Sequence, residues 1–297
     1  MSTFTRAAIL DALATTVARS VPILAAGSSC GLVAKCAARA GADLIMVYST
    51  GRSRLMGLPT SRFGDSNAST LEMAEEITNV VSSVPIIGGA EAWDPTRLDL
   101  DRLLDRFQAA GFSGVINYPT ISTMGQTWRE RRERVGLGFS REVELIRLAR
   151  ARDLFTMAYV ATPEDAEKMA QAGVDCLVPH VGATAGGLVG HETTQTRESQ
   201  VHALEVMISA AAGVRDDLLY LAHGGTLSEP ADLDAVYAQT RCVGFVGASS
   251  IERIPIERAV MDVVTQFKAA PPRWRGAQTT EDAPWVTSRT GTGGDWT

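Results

Sequence analysis

His180 and His223 are the residues of this chain that sequence places best for moving a proton. Each closes an apolar run, CLVPH and LLYLAH, and each is followed at once by small residues. Imidazole exchanges protons near neutral pH, so two histidines at strand ends read as an acid and base, or else as rings hydrogen-bonded into a rim. Glu91 and Tyr159, at the ends of other apolar runs, complete the candidate catalytic set. Small-residue turns accompany the histidines. Gly186 and Gly187 lie in the loop after His180, Gly224 and Gly225 follow His223, and Gly247, Ser249 and Ser250 precede Arg253. Such turns let backbone N–H groups approach a phosphate or carboxylate closely, although each alone also reads as a tight strand-to-helix connection. Ser28, Ser29 and Asn117 join them as candidate anion contacts, and Ser49 and Tyr118 are further polar strand ends.

Other residue types narrow the chemistry. Asp65 and Asp94 could hold a divalent cation through oxygen ligands or could cap turns, so magnesium is an optional cofactor and none is required. The three lysines, Lys35, Lys168 and Lys268, fall in helical patterns, which leaves a Schiff-base mechanism without a nucleophile. WRERRER at 128–134 reads as a solvated helical turn within a candidate lid, and Arg52 and Arg54 in GRSR raise the same question of an arginine closing over an anion.

These residues need a scaffold that brings strand ends together. Eight apolar runs alternate with helical patterns: strands at PILAAG, DLIMVYS, PIIGGA, GVINYPT, FTMAYVAT, CLVPHVG, LLYLAH and CVGFVG. Continuous apolar runs are the mark of parallel strands buried on both faces. Eight of them imply a (β/α)8 TIM barrel, with sites at the carboxyl ends and anions in the loops after strands 7 and 8. Helix ends repeat the same link into strands, as ARAGADLIMV, QAAGFSGVINY and AQAGVDCLVPH. Apolar spacing in residues 1–20 adds an N-terminal helix. Asp99 to Ala110 places Leu100, Leu103, Leu104 and Phe107 on one face, Ser69 and Glu72 have capping-box spacing, and Thr162-Pro163-Glu164 opens a helix. The expected organisation is a barrel domain over 1–270 and an extended or disordered tail over 271–297.

Composition agrees with one globular domain. The chain has 297 residues, 45% of them hydrophobic, enough for a barrel of about 250 residues. A net charge of −6 and a pI near 5.3 exclude a nucleic-acid footprint, and no stretch is long enough to span a membrane. The four cysteines lack zinc-site spacing and imply reduced thiols in a cytoplasmic protein. Trp93 and Met124 in loops, with Trp274, Trp285 and Trp296 in the tail, predict a homo-oligomer.

The motifs together resemble the phosphoenolpyruvate hydrolase-like TIM-barrel family, whose barrel is also a domain of some plant virus-resistance proteins. The resemblance spans Ala7 to Ala269 and is carried by GRSR with FGDSNA, DP at Asp94, NYPT, HVGATAGGLVG, HGG and GASSIER followed by PIERA. It implies an enzyme that hydrolyses or cleaves a carbon–carbon bond in a small anionic keto or enol carboxylate. The alternatives are a non-catalytic binding barrel and a magnesium-dependent lyase of the phosphoenolpyruvate mutase and isocitrate lyase type using Asp65, Glu91 or Asp94. No clear counterpart of the acidic metal-binding cluster or cysteine loop of those lyases is present.

Overall fold

The computed structural model describes residues 4–271; apart from Pro271, the tail and its tryptophans lie outside them. The chain runs α1 (Arg6–Ala18), β1 (Ile23–Gly27), α2 (Gly31–Arg39), β2 (Leu44–Val47), α3 (Gly51–Leu55), α4 (Ser66–Val80), β3 (Ile86–Ala90), α5 (Leu100–Ala109) and β4 (Gly114–Asn117). It continues through α6 (Gln126–Arg134), α7 (Phe139–Ala151), β5 (Phe155–Val160), α8 (Pro163–Gln171), β6 (Cys176–Pro179), α9 (Arg197–Ala212), β7 (Leu219–Ala222), α10 (Asp234–Gln239), β8 (Gly244–Gly247) and α11 (Ile254–Ala269). All eight strands are parallel and pair in chain order, and β8 closes onto β1 with Ile23 opposite Gly244 and Ala26 opposite Gly247. The (β/α)8 barrel read from the apolar runs is therefore the fold.

Period-two alternation sorts each strand into an inward and an outward set. Leu44, Met46 and Tyr48, Phe155, Met157 and Tyr159, and Cys176 and Val178 pack together inside the barrel. Outward residues such as Ile45, Val47 and Val115 pack instead under the helices with Ile77, Leu104 and Phe107. The barrel floor is closed by α1, whose Ile9 and Leu13 belong to the interior cluster. Arg6 fastens that plug by donating from Nε and Nη2 to Asp175, at 3.0 and 2.7 Å. Asp175 also accepts from Arg150 and from the Thr156 amide and hydroxyl, so one carboxylate ties α1, α7 and β5 together.

Local structure departs from the sequence reading where side chains choose distant partners. The cap of α4 is Asp65, which accepts from the Ala68 amide at 2.8 Å, and Glu72 pairs with Arg52 instead of serving a capping box with Ser69. The polar excursion after β4 is ordered as α6, with Arg129 bound to Asp165 at 2.6 Å and Arg132 donating to the Trp93 carbonyl. Between β7 and β8 a 3-10 turn at Pro230–Leu233 precedes a shortened helix, α10. After β8 the chain makes a π-helical turn at Ser249–Arg253.

The chain divides into two compact units, the second beginning at Arg258. In that second unit the described part of α11 exposes Val260, Val263, Val264 and Phe267. Among the described residues no helix is long and apolar enough to cross a membrane, and all four thiols are free.

Removing the charge that fastens the floor tests this account. Asp175→Asn leaves two guanidinium groups facing a neutral amide and is expected to cost about 2 kcal/mol, discounted from the value for a fully buried pair because both arginines reach solvent. Urea unfolding measures it; an unchanged midpoint would show that α1 is held by its apolar face alone.

Candidate functional site

Following the inward alternation to the carboxyl ends of β2, β4, β5, β6, β7 and β8 lands on Tyr48, Tyr118, Tyr159, His180, His223 and Ala248. These residues line a cavity of about 40 Å³ at the carboxyl end of the barrel, together with Arg54, Thr184 and Ser249. The two histidines stand on neighbouring strands joined by a bridge at this level, with ring centroids 4.9 Å apart. Tyr159 packs against both, at 5.4 and 5.0 Å.

Backbone contacts give the two imidazoles opposite tautomers. His223 Nδ1 lies 2.7 Å from the Val246 carbonyl, which can only accept, so Nδ1 carries the proton and Nε2 keeps its lone pair. His180 Nδ1 accepts from the Gly182 amide at 3.1 Å, which places its proton on Nε2. Burial holds both neutral: it pulls His180 down to about 3, with His223 adding to the effect, and pulls His223 down to about 4 against the Val246 hydrogen bond. Tyr48 and Tyr159 are neutral as well. They share a hydrogen bond of 2.9 Å, and burial pushes both above the ordinary phenol range.

One permanent positive charge lines this cavity. The Arg54 side chain, from α3, is 2% exposed and forms an ion pair with fully buried Glu252 of the π-helical turn. Arg54 Nε donates to Glu252 Oε1 at 2.5 Å, and Ser29 at the end of β1 donates to Oε2 at 2.5 Å. Nη1 reaches the Thr50 hydroxyl at 3.3 Å, and Nη2 makes the ion-pair contact with Glu252 Oε1. Gly51 permits this approach, since a Cβ there would sit 1.5 Å from Ser29 Oγ.

Of the residues expected from sequence, His180, His223, Tyr118, Tyr159, Arg54 and Ser249 share this cavity. The rest serve neighbouring structure. Asn117 receives the Tyr159 amide at 2.7 Å and donates to the Tyr159 carbonyl and to Glu142, bracing β4 against β5. Burial pushes the Glu142 carboxyl up to about 8 against three donated hydrogen bonds. Ser28 contacts the Ala26 carbonyl, and Ser29 serves Glu252. The Gly225 amide donates to the Gly182 carbonyl at 2.9 Å, and a Cβ on Gly224 would lie 2.0 Å from that carbonyl oxygen, so this turn closes tightly on the β6 loop. Arg253 grips the same loop, donating from Nη2 to the Gly186 carbonyl beside Gly187 and from Nη1 to Glu257. Gly247 is the last residue of β8, and Ser250 faces an outer groove beside Tyr237 and Phe245. Tyr48 and Glu252 are the contributors that the sequence reading passes over, and the inward alternation points to Tyr48.

The acidic residues of the rim are held by arginines. Arg62 forks Glu91 at 2.7 and 3.1 Å, and Arg97 bridges Asp94 and Asp65 at 2.6 and 2.5 Å. Asn67 fixes the β3 exit by binding the Glu91 backbone and Asp94. Burial alone would raise the Asp94 carboxyl, but hydrogen bonds from Thr96, Arg97 and Asn67 hold it below its usual range. As arranged, these carboxylates do not fit magnesium, because guanidinium groups take the lone pairs that a hard cation would need. Among the described residues, no group of three or more His, Cys, Asp or Glu is placed to hold a metal ion.

A larger groove of about 780 Å³ lies on the other side of His180 and Ala183, bounded by Thr123, His191, Gln195 and Met207. The two spaces share those two residues as a wall.

Comparison with known proteins agrees with the geometry at the level of fold. A tomato (Solanum lycopersicum) protein, the ToMV susceptible protein tm-1(GCR26), is 37% identical over 272 residues, covering 89% of this chain and 36% of the relative. The chain thus spans about a third of that relative's length. Phosphonopyruvate hydrolase in complex with oxalate and Mg++ superposes with a TM-score of 0.59 at 17% identity, over 89% of this chain and 87% of the other. Oxaloacetate acetylhydrolase in complex with the product oxalate gives 0.57 at 15% identity, over 89% and 88%. The phosphoenolpyruvate hydrolase-like family model matches residues 8–270, and the chain belongs to that family.

Proposed function

We propose that the barrel is an enzyme acting on a small anionic keto- or enol-type carboxylate, by hydrolysis or carbon–carbon cleavage, at the mouth around His180 and His223. The observation that carries this reading is the pair of facing neutral imidazoles with opposite tautomers. His223 offers a lone pair on Nε2 and acts as base; His180 offers a proton on Nε2 and acts as acid. Tyr159, held protonated, orients both rings, and Ser249 supplies a hydroxyl from the loop after β8. Glu91, forked by Arg62, holds the rim in shape. No step requires a metal. The family and the two oxalate-bound neighbours support a small carboxylate as the substrate class.

A homo-oligomer is part of the same proposal. The apolar stripe Val260, Val263, Val264 and Phe267 has helical spacing and is exposed, and an apolar groove of about 450 Å³ runs outside β1 and β8 past Leu24, Tyr237 and Phe245. A second copy of the chain is the occupant expected. Light scattering at micromolar concentration should give a multiple of the chain mass, reduced to one chain by Val264→Glu; a monomeric parent would refute it.

Turnover is tested with a panel of oxaloacetate, phosphoenolpyruvate and related keto acids. His223→Gln keeps a polar group but removes the lone pair, and should lower turnover by about 10²–10⁴-fold; a loss within about threefold would assign His223 to the rim.

The pH dependence has a definite sign. A histidine held at about 4 when folded stays neutral down to that pH, so the acidic limb of kcat/KM is expected near pH 4 and not near 6.5. The unfolded chain takes up protons below about 6.5, so stability should fall between pH 6.5 and 4, and less steeply in His223→Gln. Equal slopes in parent and variant would contradict the assignment.

A further inference from the structure

We propose that Glu142 regulates the mouth from behind: as a carboxylate it holds Asn117, and through it Tyr159, in place against the two histidines, and on taking up a proton it releases them. This rests on the reading of the mouth as the reaction site and adds its control. Glu142 lies in the first turn of α7 and is fully buried. Its Oε1 accepts from the Ile121 amide at 2.6 Å, and its Oε2 accepts from the Thr120 hydroxyl at 2.7 Å and from Asn117 Nδ2 at 2.6 Å. It does not line the cavity, so it is a positioning residue and not a catalytic one.

Asn117 carries the contact onward. Pairing of β4 with β5 ends at Ile116 opposite Met157. Beyond that point the Asn117 side chain takes the place of a backbone partner: Oδ1 receives the Tyr159 amide at 2.7 Å, and Nδ2 donates to the Tyr159 carbonyl at 3.0 Å. Nδ2 has two protons, one for that carbonyl and one for Glu142, so the carboxylate and the strand share one amide group. The ring so placed lies 5.4 Å from His180 and 5.0 Å from His223 and shares a hydrogen bond with Tyr48. Through Thr120 and Ile121 the same carboxylate also holds the segment after β4, whose Tyr118 lines the cavity.

A proton on Glu142 breaks this arrangement. The ionised carboxyl only accepts, whereas the acid form becomes a donor at one oxygen. Both neighbours of Oε2 are donors, so an acid proton there must displace one of them; Thr120 could receive it only by turning its own proton away, and its oxygen already accepts from the Ser122 amide at 3.0 Å. Burial favours the acid and pushes the group up to about 8 against the three hydrogen bonds, so the change falls in an accessible pH range. Asp165 of α8 adds to that push and is itself paired with Arg129 of α6. Arg132 and Arg141 donate to the main-chain carbonyls of Trp93 and of Ala92 and Leu98, Arg147 pairs with Glu144, and Arg152 pairs with Asp101 and Asp105 of α5; none of these forms an ion pair with Glu142. His180 and His223 stay neutral above about 3 and 4, and Tyr48 and Tyr159 are pushed above the ordinary phenol range, so among these groups Glu142 is the one that changes charge near pH 8.

The test is two-dimensional NMR of the full chain, labelled with nitrogen-15 and titrated from about pH 6 to 9.5. The Ile121 amide, bonded to Glu142 itself, and the Tyr159 amide, bonded to Asn117, are both buried and are expected to shift together with one midpoint near 8. Glu142→Gln should hold both fixed, and Asn117→Ser, which cuts the relay, should leave the Ile121 step and abolish that of Tyr159. If either variant fails to fold, the parent titration decides alone. Ile121 moving without Tyr159, no step at either amide in the parent, or an unchanged Tyr159 step in a folded Glu142→Gln would each overturn the proposal. Turnover of the keto-acid panel should rise about tenfold through the same midpoint, because small misplacements at a reaction site are costly, and should stay flat in Glu142→Gln. That step is separate from the His223 limb near pH 4. Two coupled amides with no turnover of any keto acid would refute the reaction and keep the relay. Turnover without a step near 8 would sink the control by Glu142 and leave the histidine pair standing.

Discussion

A guanidinium buried in a protein requires a buried carboxylate, and in this barrel that requirement joins three strand exits. Arg54 leaves the β2 exit, Glu252 leaves β8, and Ser29 at the end of β1 lies between them and hydrogen-bonds the same carboxylate. The three strands are neighbours across the seam where the barrel closes. Taking either charge away leaves the other stranded in low dielectric, which is far costlier than losing both. The pair therefore does more than stabilise: it sets where α3 and the π-helical turn sit, and with them the walls around His223 and Tyr48.

The strands were legible because parallel strands covered on both faces read as unbroken apolar runs, as in DLIMVYS and FTMAYVAT. The histidines were legible for the same reason, since they stand where such runs stop. Tyr48 escapes a reading that takes Ser49 as the strand end, because a shift of one residue turns every side chain to the opposite face. Alternation from Leu44 and Met46 corrects it. The partnership of Arg54 with Glu252 has no local signal at all: the residues are 198 positions apart, and barrel closure alone brings them together. Arg253, its neighbour in sequence, looks equally suitable as an anion ligand, and its engagement with Gly186 and Glu257 appears only in three dimensions.

The electrostatics of the mouth separate into two zones. Around the rim Glu91, Asp65, Asp94 and Asp165 each have an arginine partner and act as struts that hold loops in place. Inside, burial keeps His180, His223, Tyr48 and Tyr159 neutral, and the low dielectric there strengthens any hydrogen bond they make.

The π-helical turn has a consequence for how this sequence can vary. Over five consecutive residues it sends Ser249 to the cavity, Ser250 to the outer groove, Ile251 to the helix-side packing, Glu252 to Arg54 and Arg253 to the β6 loop. A π turn is an α turn with one residue more, so deleting a single residue here would rotate all five destinations at once. Insertions and deletions should be excluded from this short stretch even where they are tolerated in nearby loops, and a fixed spacing from Gly247 to Glu257 becomes a length marker by which members of the family that retain this mouth can be told from those that have lost it.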